Sequence, residues 1–311
     1  MKGSKLKKCI VLFSGGLDSR LALKIMQEQG FETTALFFKL PFGTGCCNEN
    51  CSFNFSQIQG IKLNVIDCTK GELLQEYLNL IRKAEHGRGA GINTCVDCRI
   101  FMFKKAKEFA DAQGIDLIVS GEVLGERPMS QMKKSMGNIE EKSGLKGRLL
   151  RPLSAKLLPE TQAEKFGLIN KEKLYDIHGR KREKQIELAK KFKINYPSPA
   201  GGCLLCEKEL KNRLKKLLDR GLNEDEINLV GIGRHFWINK CWVILGRNEK
   251  ENKIIENVKS GEKIIPDYPA PSAIILDKFN KKIKDKIELL IKSYSKKEDL
   301  KTRELFYKYR L

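Results

Sequence analysis

The sequence contains no apolar run that reaches the ~18 residues a membrane-spanning helix needs. Residues 1–8 are basic and lead directly into an apolar segment, so we expect neither a signal peptide nor a membrane partner. We therefore expect a cytoplasmic protein. Its ten cysteines favour metal, cluster or catalytic thiols, because structural disulfides are rare in the cytosol.

Acidic residues are also scarce, with 39 Asp and Glu against 59 Lys and Arg, which gives a formal net charge of +20. A surface this basic favours a polyanionic partner, most simply nucleic acid. A lysine-rich surface that is merely solvated would give the same count, so composition leaves both interpretations open. At 311 residues and 41% hydrophobic content, the chain is long enough for two domains and a sizeable core.

One glycine-rich motif, Ser14-Gly15-Gly16-Leu17-Asp18-Ser19, lies between an apolar segment at 9–13 and a helical pattern at 20–26. No lysine follows the glycines, which excludes a Walker A loop, and the spacing is not that of a dinucleotide-binding turn. Glycines let the backbone approach a phosphate, and N–H groups at a helix N-terminus bind it. Asp18 is predicted to hold a Mg²⁺ ion that phosphate oxygens share. An ordinary turn before a helix is the alternative.

Alternating strands and helices follow this motif. Apolar segments at 32–38, 61–67 and 115–119 read as buried strands, and amphipathic helices are predicted at 72–84 and 95–113. This order predicts an α/β fold with a parallel sheet and helices on both faces. Ligands bind beyond the carboxyl ends of parallel strands, so Ser120-Gly121-Glu122 should face the same site as residues 14–19. A Lys- and Arg-rich helix at 180–193 is either a solvated face or a phosphate contact.

Two C-x-x-C pairs, Cys95/Cys98 and Cys203/Cys206, carry the second chemical signal. The first pair begins a helix, whose N-terminus is expected to lower the thiol pKa. Zinc would use all four thiolates, whereas a [4Fe-4S] cluster could use Cys95, Cys98 and Cys203 and leave one iron open. We favour the cluster over a persulfide or disulfide pair and over structural zinc, and two unrelated thiol pairs are the alternative.

The remaining cysteines are assigned more simply. Cys46, Cys47 and Cys51 lie in a polar loop that could contact a metal or merely carry thiols. Cys9, Cys68 and Cys241 lie in strand-like segments and are predicted to be core residues.

Three ordered motifs together resemble the tRNA 4-thiouridine synthetase family. Residues 14–19 resemble the SGGxDS loop of the ATP pyrophosphatases (PP-loop), residues 120–131 are similar to that family's TGESLGQVxSQ segment, and Leu150-Arg151-Pro152-Leu153 resembles its LRPL strand. The resemblance covers roughly residues 7–205. It implies an adenine nucleotide alpha hydrolase-like fold (HUP type). It also implies a reaction in which ATP adenylates a base carbonyl with release of pyrophosphate, after which sulfur is transferred to the activated base.

The resemblance also implies site residues. The positions that match the family's ATP contacts are Ser14, Gly15, Gly16, Asp18, Ser19, Phe38, Arg99, Gly121 and Gln131. Cys203 matches the cysteine that carries sulfur as a persulfide, and the sulfur donor would be a cysteine desulfurase or inorganic sulfide. We expect no rhodanese domain and no N-terminal RNA-binding domain of that family in this chain.

The C-terminal part has a different pattern, with a predicted strand hairpin at 235–246, a strand at 272–277 and a basic tail from 281. Its GRNEKEN segment resembles the RNA-binding domain of the NFACT family. We predict a PP-loop domain at 1–205, a basic helical linker at 206–222 and a small α+β RNA-binding domain at 223–311. Trp237 and Trp242 could stack on bases, although core packing is the commoner role.

The predicted function is that of an ATP-dependent tRNA sulfurtransferase with ATP, Mg²⁺ and either a cluster or a persulfide. Two alternatives remain open: another PP-loop ATP pyrophosphatase that acts on a small molecule, and a non-catalytic RNA-binding protein with structural zinc.

Overall fold

The computed structural model describes residues 7–43, 52, 55–57, 59–198, 202–295 and 300–311. The chain forms two compact units, residues 1–206 and 207–311. The helix at the predicted linker belongs to the second unit. Cys46, Cys47 and Cys51 lie outside the described residues. Among the residues that are described, no helix is long and apolar enough to cross a membrane.

The first unit is built on a five-stranded sheet in the order β3-β2-β1-β4-β5. Every neighbouring pair of strands is parallel, as predicted. The strand order reverses between β1 and β4, and ligands of open α/β sheets bind beyond the carboxyl ends at such a point. The strands are β1 Lys7–Leu12, β2 Phe31–Lys39, β3 Lys62–Asp67, β4 Leu117–Ser120 and β5 Leu149–Leu150.

Helices cover both faces of this sheet, which confirms the predicted fold class. Successive residues of β1 enter two different cores: Cys9 and Val11 pack with α1 and α6, whereas Ile10 and Leu12 pack with α3. This division follows from the alternation of side chains along a strand. The helices of this unit are α1 Leu17–Glu28, α2 Gly71–Arg82, α3 Cys95–Ala112, α4 Lys133–Ser143, α5 Gln162–Lys165 and α6 Glu183–Lys191.

The second unit contains a four-stranded antiparallel sheet in the order β6-β7-β9-β8. The predicted hairpin is present, and Asn239 and Lys240 form its turn with positive φ angles of 47° and 70°, as two-residue hairpin loops require. Its elements are α7 Lys211–Arg220, α8 Glu224–Ile227, β6 Arg234–Ile238, β7 Cys241–Leu245, α9 Glu249–Asn257, β8 Glu262–Ile264, β9 Ala273–Ile275, α10 Lys281–Ser293 and α11 Leu300–Glu304.

The core predictions for single residues are confirmed in most cases. Cys9, Cys68 and Cys241 are buried. Trp242 is also buried and its ring N–H donates to Nδ1 of His235 at 3.0 Å. Trp237 is only half-buried, with the Lys216 ammonium 4.8 Å from its ring centre.

Candidate active site

The phosphate loop, residues 14–19, joins β1 to α1. Gly15 has a positive φ of 77°, a conformation that glycine adopts without strain. Gly16 is the N-cap of α1 and offers no capping side chain, so the first N–H groups of the helix remain open to an anion. The Ser19 hydroxyl donates to the Gly16 carbonyl at 2.9 Å, and the Arg20 side chain donates to the Gly15 carbonyl at 2.6 Å. These contacts fix the conformation of the loop.

Gly121, just after β4, lies directly against this loop. A Cβ atom at Gly121 would come within 2.6 Å of the main-chain carbon and oxygen of Asp18 and of the Ser19 nitrogen. Such distances do not occur for real side chains, so glycine is required here by close packing of two backbones. The predicted meeting of residues 14–19 and 120–122 is therefore present in the structure.

The Asp18 carboxylate is the most exceptional polar group of the loop. Its Oδ1 atom is buried and has no hydrogen-bond partner among the described residues, and its Oδ2 atom lies 3.6 Å from the Arg182 guanidinium. Burial raises the pKa of Asp18, and Arg182 and Arg127 offset that rise only in part. An anionic oxygen that is buried and lacks a donor is costly unless a cation reaches it.

A second carboxylate, Glu126, completes this environment. Burial raises the pKa of Glu126, and the nearby charge of Asp18 raises it further. Carboxylate oxygens are the hard ligands that Mg²⁺ prefers, and one Asp18 oxygen lacks a hydrogen-bond partner among the described residues. Asp18 and Glu126 therefore fit a Mg²⁺ ion.

Arg182 and Glu126 were not predicted from the sequence as site residues. A β-bridge between Leu124 and His178 brings their two segments together, and the Gly179 N–H donates to the Leu124 carbonyl at 2.7 Å. Arg182 then lies at the N-cap of α6, within the segment 180–193 that was predicted to be helical. Only this long-range pairing shows that Arg182 lies beside Asp18. The basic composition of 180–193 indicated a phosphate contact as one interpretation, without indicating which residue makes it.

Glu122 lies beside the loop but has a different environment. It is 3% exposed and forms ion pairs with Arg151 at 2.9 Å and Arg99 at 3.4 Å. Burial alone would raise the pKa of Glu122, but Arg151 and Arg99 hold it below its ordinary value. Arg151 also pairs with Glu140. This network ties β4, β5, α3 and α4 together behind the site.

The remaining positions that the family resemblance assigned to ATP lie around the same sheet edge. Phe38 is half-buried near the end of β2, and Arg99 is on the second turn of α3. Gln131 is buried, and its side-chain oxygen accepts the Arg127 N–H at 3.1 Å. Their contacts with ATP stay a prediction.

The four cysteines of the two C-x-x-C pairs, named here the cysteine cluster, are brought together by a docked loop. The Ile92 N–H donates to the Leu205 carbonyl at 2.9 Å, and a Cβ atom at Gly91 would lie 2.2 Å from that same oxygen. The segment with Cys203 is also held by the Leu204 N–H, which donates to the Phe42 carbonyl at 2.9 Å. The two distant pairs therefore share one neighbourhood.

The segment around Cys203 has local structure despite the prolines and glycines before it. Cys203 forms an isolated β-bridge with Gly43, and Leu204–Cys206 form a 3₁₀ turn. Gly202 is the last of those glycines and prolines, so the residues after it are free to pair and turn.

Polar side chains contact the thiols directly. The Tyr77 hydroxyl lies 3.3 Å from the Cys98 sulfur, and the Asn93 amide donates to the Cys95 sulfur at 3.2 Å. The helix N-terminus was expected to lower the thiol pKa, but burial raises the pKa of Cys98 and raises the pKa of Cys203 to about 12. Desolvation outweighs the helix dipole at Cys98, and burial acts in the same direction at Cys203.

The spacing of these sulfurs discriminates between metal sites. A tetrahedral zinc site, with Zn–S bonds of about 2.3 Å, needs its sulfurs about 3.8 Å apart. Among the described residues, the only three ligand-type side chains whose ligand atoms all lie within 4.8 Å of one another are Glu85, His86 and Asp97. No three of the cysteine-cluster sulfurs meet that distance. The four thiols as placed therefore do not have the close spacing of a tetrahedral zinc site.

The segment after β4 connects the phosphate loop with the cysteine cluster. The charge of Arg127 acts on both Asp18 and Cys206. The Asn93 amide, which donates to Cys95, also lies 3.3 Å from the Met129 sulfur. Phosphate-binding groups and thiols thus border one region of the first unit.

Comparison with known proteins finds a family that part of the first unit resembles. Residues 4–156 match the sequence profile of the ThiI family, described as thiamine biosynthesis protein (ThiI). This matched stretch, named here the ThiI-family segment, contains all five strands of the parallel sheet and the first cysteine pair, whereas Cys203, Cys206 and the second unit follow it.

Similarity to individual proteins covers part of each chain. The chain is 29% identical over 119 residues to the tRNA-specific 2-thiouridylase MnmA of a Nitratiruptor species, which covers 37% of this chain and 34% of that protein. It is 31% identical over 120 residues to the probable tRNA sulfurtransferase of Methanobrevibacter smithii, which covers 38% and 30%. The chain therefore matches about a third of the length of these curated relatives.

One solved structure among those that match is a 4-thiouridine synthetase in complex with RNA and bound ATP. Its TM-score is 0.38 at 14% sequence identity, and the match covers 87% of this chain and 55% of that chain.

Proposed function

We propose that the protein is an ATP-dependent tRNA sulfurtransferase that acts in the cytoplasm. The observation that carries this proposal is the position of Arg127, whose charge acts on Asp18 of the phosphate loop and on Cys206 of the cysteine cluster. A nucleotide-activating loop and a group of thiols at one place are what an adenylation followed by sulfur transfer needs. The ThiI-family segment supports the same assignment.

In the first step, the carbonyl oxygen of a tRNA base attacks the α-phosphorus of ATP and pyrophosphate leaves. The open N–H groups of α1, with the Ser14 and Ser19 hydroxyls, would bind the departing phosphates. Mg²⁺ bound by Asp18 and Glu126 would supply charge neutralisation for the pyrophosphate. The base then carries AMP on its oxygen, which turns that oxygen into a leaving group.

In the second step, a sulfur nucleophile attacks the activated carbon and AMP departs with the oxygen. An iron–sulfur cluster held by Cys95, Cys98 and Cys203, with Cys206 beside it, would supply a sulfide for this step. The alternative is a Cys203 persulfide, in which a second thiol attacks the inner sulfur and leaves a disulfide for a cellular thiol to reduce. Inorganic sulfide would supply the cluster route, whereas the persulfide route would take sulfane sulfur from the persulfide of a cysteine desulfurase, whose own thiolate is the leaving group.

The second unit would bind the tRNA. Its resemblance to the NFACT RNA-binding domain and the net charge of +20 support this role, because a basic surface binds the phosphate backbone without reading sequence. Residues 223–311 are proposed as this RNA-binding domain.

The test separates the two chemical steps. With wild-type protein purified without oxygen, we expect pyrophosphate release that depends on tRNA and thiolation that depends on sulfide. Asp18→Asn should lose both, whereas Cys203→Ser should keep pyrophosphate release and lose thiolation. Cys241→Ser, a buried thiol of the second unit, is the matched control and should keep both. Pyrophosphate release by wild type that ignores tRNA would contradict the proposal.

A further inference from the structure

Four arginines of the second unit, Arg213, Arg234, Arg247 and Arg310, form one cluster of positive charge that no step of the thiolation reaction uses. They come from α7, from β6, from the residues after β7 and from the C-terminal segment. That segment lies along β6, where Phe236 bridges to Arg310 and the Leu311 N–H donates to the His235 carbonyl at 2.9 Å. Residues distant in the sequence thus meet at the edge strand of the sheet.

Main-chain oxygens and a ring hold these side chains in place. Arg213 donates to the Leu311 carbonyl at 3.1 Å, and Arg234 donates to the Gly246 carbonyl at 3.0 Å. The Arg234 guanidinium also lies 5.0 Å from the centre of the Tyr294 ring, a favourable cation–π distance. Arginine has five donors, so each contact leaves others available to a ligand.

Side-chain carboxylates add little negative charge to the cluster. Arg247 pairs with Glu251, but in the described part of the chain no side-chain carboxylate forms an ion pair with Arg213, Arg234 or Arg310. The Nε atom of Arg213 is buried without a hydrogen-bond partner among those residues. Burial and the neighbouring Arg247 and Arg310 lower the pKa of Arg213 to about 10. Like charges held together in this way favour a bound anion.

We propose that this arginine cluster binds backbone phosphates of RNA. This inference rests on the proposed function, in which tRNA is the substrate. It adds the surface of the second unit that binds the tRNA backbone. Guanidinium groups bind phosphate oxygens in a bidentate manner, and a cluster built from several elements can contact successive phosphates. Anchoring by carbonyl oxygens means that little side-chain freedom is lost on binding.

The experiment measures the affinity of the full chain for an unmodified tRNA transcript at several salt concentrations. In Arg234→Gln/Arg310→Gln, we expect about tenfold weaker binding and a salt slope less steep by about one for each lost phosphate contact. The matched control is Lys240→Gln/Lys278→Gln, which removes two exposed charges at the hairpin end of β6, away from the cluster. It should change affinity less than twofold.

Three further outcomes decide the inference. Arg234→Lys/Arg310→Lys keeps both charges and should recover most of the salt slope, and thermal unfolding of each variant excludes a folding defect. Wild-type binding of tRNA that the Gln variant retains in full would overturn the arginine assignment and leave the proposed function intact. A wild-type protein that binds no tRNA would overturn both.

Discussion

The loops after β1 and β4 touch at Gly121. The carboxylate that each loop carries, Asp18 in the first and Glu122 in the second, nevertheless has a pKa shifted in the opposite direction. Glu122 has arginines 2.9 and 3.4 Å from its two oxygens and a pKa below its ordinary value, whereas Asp18 has one guanidinium 3.6 Å from Oδ2 and a pKa above its ordinary value. Each carboxylate has one buried oxygen without a hydrogen-bond partner among the described residues. The two groups belong to adjoining segments. The difference lies in how completely each charge is compensated.

Glu122 therefore acts as a group that stabilises the fold, whereas Asp18 is a group whose charge remains available to a ligand. A compensated buried charge contributes to stability, because removing its partner leaves an isolated charge. An uncompensated one costs stability and is retained where a ligand supplies the missing partner. The sign of each mutational effect on unfolding therefore tests which role a carboxylate has.

The largest effect is expected from Arg151→Ala. Arg151 is 2% exposed and pairs with Glu122 and Glu140, so its removal leaves buried Glu122 with Arg99 alone and takes an ion-pair partner from half-buried Glu140. We expect the free energy of unfolding to fall by about 3–5 kcal/mol in urea titrations. The control is Lys184→Ala, which breaks an exposed pair with Asp176 at 3.0 Å and should cost less than about 1 kcal/mol. Equal losses in both variants would contradict the account.

The second effect is on catalysis and sharpens the comparison. Asp18→Asn should lower ATP turnover about a hundredfold or more, since the proposed Mg²⁺ ligand is lost. The same variant should unfold at a higher temperature than wild type at neutral pH, because the raised pKa means that ionised Asp18 destabilises the fold. Glu122→Gln should unfold at a lower temperature. Destabilisation by Asp18→Asn would refute this distinction.

A third, smaller effect concerns the contact between the two loops. In Gly121→Ala, the new Cβ atom would collide with the backbone of Asp18 and Ser19, so the phosphate loop must shift. We expect ATP to bind about tenfold more weakly, which a misplacement of about 1 Å readily produces. Gly137→Ala in α4, where a Cβ atom meets nothing within 4 Å, is the control and should leave ATP affinity unchanged.

The smallest effect is the dependence of these stabilities on pH. A raised pKa makes the advantage of Asp18→Asn shrink as the pH falls through that pKa, because wild-type Asp18 then becomes neutral. The lowered pKa of Glu122 makes the penalty of Glu122→Gln persist to more acidic pH before it disappears. Thermal unfolding without ATP or Mg²⁺, from neutral to mildly acidic pH, measures both trends. Parallel curves for the two variants would be inconsistent with opposite pKa shifts.

Local patterns were sufficient for the fold of the first unit. Continuous apolar segments marked the buried parallel strands, and the glycines at 15 and 16 marked the turn into α1. The parallel order then predicted that Gly121 would meet the loop. The two cysteine pairs were recognisable from spacing alone, although only the fold shows that they share a neighbourhood.

The sequence could not supply the groups that arrive through long-range pairing. Arg182 reaches Asp18 through the bridge between Leu124 and His178, and no periodic pattern encodes that contact. The raised pKa of Cys98 was also missed, because the helix dipole is visible in the sequence and the depth of burial is not. The arginine cluster likewise needs the C-terminal segment to pair with β6.

The most direct test of the proposed function is to ask whether sulfur enters tRNA. Protein purified without oxygen would be incubated with ATP, Mg²⁺, sulfide and tRNA that lacks thiolated nucleosides, and the digested nucleosides would be analysed by mass spectrometry. The account predicts a nucleoside in which one oxygen is replaced by sulfur, formed only with ATP and absent with Asp18→Asn. Consumption of ATP to AMP and pyrophosphate with no sulfur in the tRNA would contradict it.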